Sequence, residues 1–152
     1  MSPLKQFNLS RTSLLTFIQD LDEEILDKQS KFFDNTLRWY IGNTLLINEK
    51  LLFVSQQKSQ KIPMEYAELF SSDITVEDWK NEAPSLQQLM DDLVEQQNRV
   101  NQFEELFWKS DVKFKVPYGH VQTHGDLLIM LTHREAETLG KIKMMKQILE
   151  SN

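Results

Sequence analysis

Cysteine is absent from the 152 residues. That excludes disulfides, thiolate nucleophiles and cysteine-bound zinc or iron–sulfur centres, and it suits a reducing compartment. No stretch approaches the roughly 18 apolar residues of a membrane span. The segment from Met1 to Thr12 lacks the apolar core of a signal peptide, so the expected location is the cytoplasm and no membrane partner is expected. Positive charge is in the minority, 17 Lys and Arg against 23 Asp and Glu, a formal net charge of -6. No general field therefore favours phosphate backbones or anionic lipid, and nucleic acid is not an expected partner. The cluster Lys141, Lys143 and Lys146 is a local exception, read as solvated cations near the negative end of a terminal helix. Only four glycines interrupt the chain, and no long run alternates apolar with polar residues, so nothing proposes a sheet.

What is present is the composition of one globular domain, 40% hydrophobic and 26% charged. The expected fold is all-α, a four-helix bundle spanning residues 1–152 as a single domain. From Leu9 to Phe33, the residues Leu14, Leu15, Ile18, Leu21, Ile25 and Leu26 recur at helical spacing, with Asn8 or Ser10 as cap. A second helix is predicted over Thr36 to Gln56, carrying Trp39, Ile41, Leu45, Leu46, Leu52 and Phe53. Periodicity lapses from Gln57 to Pro84, a long connection with a short helical turn expected around Met64 to Phe70. Ser85, three residues before Gln88, starts a third helix whose apolar face runs through Leu89, Met90, Leu93, Val94, Val100, Phe103, Leu106 and Phe107 to about Trp108. A polar link with Pro117 and Gly119 follows. Thr123 then caps a fourth helix containing Leu128, Leu131, Ile142, Met145 and Leu149. Short outer links and a long middle one imply the order up-down-down-up, with a crossover between the second and third helices.

Catalytic groups in such a bundle are inward carboxylates and histidines. None of the three histidines, His120, His124 and His133, follows a Glu by three residues, so the di-iron motif is missing. His120 and His124 have chelate spacing, but the cap at Thr123 leaves His120 in the link, and both are expected to face solvent. His133 and Glu137 are also four apart. With Leu128, Leu131, Ile142 and Met145 inward, Arg134, Glu135 and Thr138 lie nearer the apolar stripe, so His133 and Glu137 read as a surface or boundary pair. Asp20, Asp22, Glu23 and Glu24 read as a solvated face, and Trp39 and Tyr40 as core near Asn43.

Two stretches resemble the DinB-like superfamily of bacterial four-helix bundles, a group related to metal-dependent enzymes that include thiol transferases. Asn35-Thr-Leu-Arg-Trp-Tyr-Ile-Gly-Asn43 resembles the family pattern Asn-Thr-x-x-Trp-x-x-Gly-His. Arg134-Glu-Ala-Glu-Thr-Leu-Gly-Lys-Ile142 resembles His-Glu-Ala-x-His-x-Gly, with both histidines replaced, and Tyr66-Ala-Glu-Leu-Phe70 is similar to the family's connecting segment. The resemblance implies that the family's three metal-binding histidines correspond to Asn43, Arg134 and Thr138. An amide, a guanidinium and a hydroxyl are poor ligands for zinc or nickel, so no cofactor is expected. Arg134, Thr138 and Asn43 could instead form a hydrogen-bonded network, with Glu135 or Glu137 neutralising Arg134, or hold a small anion. The implied function is a non-catalytic binding or interaction module with a small-molecule ligand and a homodimeric state. The alternative is a hydrolase or thiol transferase with a zinc or nickel site rebuilt from His133, Glu137 and His124.

Overall fold

In a computed structural model, the structure describes residues 2–56, 58–116 and 120–151. The fold is all-α. Among the described residues there are seven α-helices and no strand, the one extended pairing being a bridge between Asp111 and Thr123. Four helices are long: α1 (Pro3–Ile18), α3 (Leu37–Leu52), α5 (Leu86–Asn101) and α7 (His124–Glu150). Three are short: α2 (Glu23–Leu26), α4 (Tyr66–Phe70) and α6 (Glu105–Lys109). No helix of the described residues is long and apolar enough to cross a membrane.

Local chemistry explains most of the helix starts. Thr36 and Ser85 accept hydrogen bonds from the Trp39 and Gln88 amides, satisfying donors that the first turn leaves free. At α7, Thr123 accepts from the Asp126 amide while the Asp126 carboxylate accepts from the Thr123 amide, a reciprocal cap. These bonds from Thr123 and Gln122 hold the Asp126 carboxyl below its ordinary value. The first helix departs from expectation. It starts at Pro3, with Ser2 rather than Asn8 or Ser10 as its cap residue, because proline suits a first helical position. It also ends at Ile18, not Phe33. Leu21, Ile25 and Leu26 are buried from a turn and the single turn of α2, so the apolar spacing continued where the helix did not.

The third predicted helix is likewise divided, α5 ending at Asn101 and α6 beginning at Glu105. The break seats Phe103 between Phe53 and Phe107, with ring centroids 5.5 and 4.1 Å away. Val94 and Leu106, expected to be inward, are exposed. In the long connection, α4 presses Phe70 against Gly42 and a second short turn at Val76–Asp78 is capped by Thr75. The link residues Pro117 and Gly119, and Gln57 at the start of the connection, lie outside the described residues.

Each long helix touches two others: α1 packs on α5 and α7, and α3 on the same two. The enclosed core is divided. One apolar cluster contains Leu14, Ile18, Leu45, Leu93 and Ile142, and another contains Phe7, Leu52, Val100, Trp108 and Leu131. In all four helices the boundary between the clusters falls on buried polar residues: Arg11 in α1, Asn48 and Glu49 in α3, Gln96 in α5 and Glu135 in α7.

Candidate functional site

Asn43 on α3 and Arg134 and Thr138 on α7 line one cleft of about 330 Å3, together with Tyr40, Glu137 and Lys141. Adjoining it is a small crevice of about 20 Å3, whose wall again includes Asn43, Arg134 and Thr138 and also Asn48 and Glu135. Such a volume is enough for one water. The two helices bring the residues together because Asn43 faces the half-buried side of α3, while Arg134 and Thr138 flank the buried Glu135 on α7. Asn43 is anchored, its Nδ2 donating to the Phe70 carbonyl at 2.7 Å. Lys141 places its ammonium 4.5 Å from the centre of the Tyr40 ring and 3.4 Å from its hydroxyl.

This donor set does not fit a divalent metal. One amide is already tied to the backbone, one hydroxyl is a weak ligand, and a guanidinium in the same wall repels a dication. Among the described residues, no three His, Asp or Glu side chains are grouped so as to hold a metal ion. His133 is exposed, and Glu137 stands at the cleft rim. His124 is nine residues earlier on α7, roughly 13 Å along the axis at 1.5 Å per residue. The three side chains therefore do not converge.

His124 also corrects an expectation. It is buried, not solvent-facing, and its ring stacks on Phe107 at 4.3 Å. Its Nε2 lies 2.8 Å from the Gln56 side-chain oxygen, and Nδ1 lies 3.0 Å from the Ser110 carbonyl. The bridge between Asp111 and Thr123 folds the link back onto the helix start, which sequence spacing could not reveal. His120 is exposed outside the helix, so His120 and His124 do not share a helical face.

The floor of the site holds the polar layer, which sequence reasoning missed. Arg11 is fully enclosed and bonds Glu135 through Nε and Nη2 at 2.8 and 3.0 Å. Glu135 is thus paired with Arg11 on α1. The remaining Arg11 bonds go to the Leu93 carbonyl and to Gln96. Gln96 in turn donates to the Leu45 carbonyl and to Glu49, and Glu49 receives both terminal nitrogens of Arg99 at 2.8 and 2.9 Å. Burial pushes the Glu49 carboxyl up, but bonds from Arg99, the Lys61 amide and Gln96 outweigh it and hold the group below its ordinary value. Asn48 donates to the Thr44 carbonyl and, at 3.4 Å, to Glu135, while its Oδ1 has no partner. Far from this layer, Glu23 is not simply solvated: with Asp27 it grips Arg38, and it accepts from the Leu86 amide at the start of α5.

A signal for the layer was available. Each apolar stripe is interrupted once by a polar residue: Phe7, Arg11, Leu14; Leu45, Glu49, Leu52; Leu93, Gln96, Val100; Leu131, Glu135, Leu139. No protein-family model matches the chain, and no curated protein matches it in sequence.

Proposed function

We propose that this chain is a DinB-like four-helix bundle, ordered up-down-down-up, acting as a non-catalytic small-molecule binding module without the family's metal site. The order is supported by contact register. Pro3 meets Gly125, Arg11 meets Glu135, and Phe17 meets Lys143, so α1 and α7 run together. Tyr40 meets Lys141 and Asn48 meets Glu135, which sets α3 against α7. Asn8 meets Asn101 while Arg11 meets Leu93, which sets α5 against α1.

The observation that carries the binding reading is the common wall of Asn43, Arg134 and Thr138 between an open cleft and a smaller crevice. A cleft of this size is at the lower end for small-molecule sites. Elemental analysis after incubation with zinc and with nickel, followed by desalting, tests the metal-free part of the reading. The expected result is no stoichiometric metal. Stoichiometric zinc or nickel that is lost in Asn43→Ala or Thr138→Ala would refute it.

A further inference from the structure

The cleft between α3 and α7 gathers charge of both signs, and we propose that its ligand is a small zwitterion of the α-amino-acid class. Its carboxylate is placed toward Lys141 and Arg134, and its ammonium toward Glu137. This rests on the binding reading above and goes beyond it by naming the ligand's chemistry.

Three observations converge. Lys141 is held by an aromatic face and a hydroxyl, and among the described residues no carboxylate lies within ion-pair distance of it. Its cationic neighbour Arg134 lines the same cleft, so an anionic group entering there meets two positive side chains. Glu137, exposed at the rim, has no ion pair among the described residues, and it offers a carboxylate to a ligand cation.

Other ligand classes leave one of these features unanswered. A phosphate or sulfate dianion answers Arg134 and Lys141 but leaves the Glu137 carboxylate in the same cleft without a counter-charge. A simple carboxylate leaves Glu137 without a partner. A polyamine is opposed by Arg134 and Lys141.

The test is a thermal-melt screen of the common L-amino acids on the full chain at low salt. Titration calorimetry follows with the best one, its analogue lacking the amino group, and sodium sulfate. The amino acid is expected to raise the melting temperature and to bind about tenfold or more tightly than the deaminated acid, because losing the donor leaves site acceptors unpaired. Lys141→Gln is expected to weaken both organic ligands about tenfold, and Glu137→Gln to erase the difference between them. Both positions border solvent, and melts without ligand establish that the variants fold. The proposal is overturned if no amino acid shifts the melt, if the deaminated acid binds equally well, or if Glu137→Gln leaves the preference intact. Binding of sulfate alone also overturns it while leaving the small-molecule reading in place. Stoichiometric metal in the elemental analysis defeats that reading instead.

Discussion

Arg11 shows what a single side chain must satisfy when it is enclosed. Its guanidinium donates to Glu135, Gln96 and the Leu93 carbonyl, and its carbon stands 4.9 Å from the centre of the Phe7 ring. Removing such a cation costs more than the pair contributes, because the partner remains charged in a dry site. Arg11→Met should therefore lose about 3–5 kcal/mol in urea unfolding, since it strands Glu135. Combining it with Glu135→Leu should recover most of that loss. A single variant as stable as the parent would show that Glu135 finds another partner.

At the scale of elements, the contact between α3 and α4 has the narrowest tolerance. A Cβ built on Gly42 would lie 2.4 Å from the Phe70 ring, so the helix approaches this closely only because no side chain intervenes. The same packing positions the Phe70 carbonyl that anchors Asn43. Gly42→Ala should destabilise the chain by about 1–3 kcal/mol through overpacking, despite alanine's better helix propensity. Thermal melts of Gly42→Ala and of Gly42→Ala with Phe70→Leu provide the check, and the second should recover part of the loss. An unchanged melting temperature in Gly42→Ala would mean that α4 moves aside freely. Gly140, equally part of the resemblance, has nothing within 4 Å of an added Cβ, so packing does not explain glycine there.

For the whole molecule, the polar layer crosses all four long helices and couples their register to ionisation. Glu49 has a folded pKa below its ordinary 4.5, so the unfolded chain binds the proton more readily. The stabilisation this provides is complete above the unfolded value and is lost as pH falls through the folded one. Urea midpoints measured from neutral pH downward should therefore fall below about pH 4.5, where protonation releases Arg99 and Gln96. Glu49→Gln should start from a lower midpoint and show a shallower acid slope. An identical slope would assign the pH dependence to other carboxylates.

Apolar spacing and caps were sufficient to identify helices starting at Leu37, Leu86 and His124, because these depend on neighbours a few residues apart, and the length of the middle connection led to the short turn before Phe70. Spacing could not place the ends at Ile18 and Asn101, since a turn that buries Leu21 or Phe103 leaves the same pattern as a continuing helix. The resemblance had already named Asn43, Arg134 and Thr138, and the approach of α3 to α7 decided that they line one cleft. Only tertiary structure could choose Arg11 as the partner of Glu135, because 124 positions separate them. A polar break in one stripe is ambiguous by itself. Four such breaks become a bonded layer only when packing brings them to one level within bonding distance of one another.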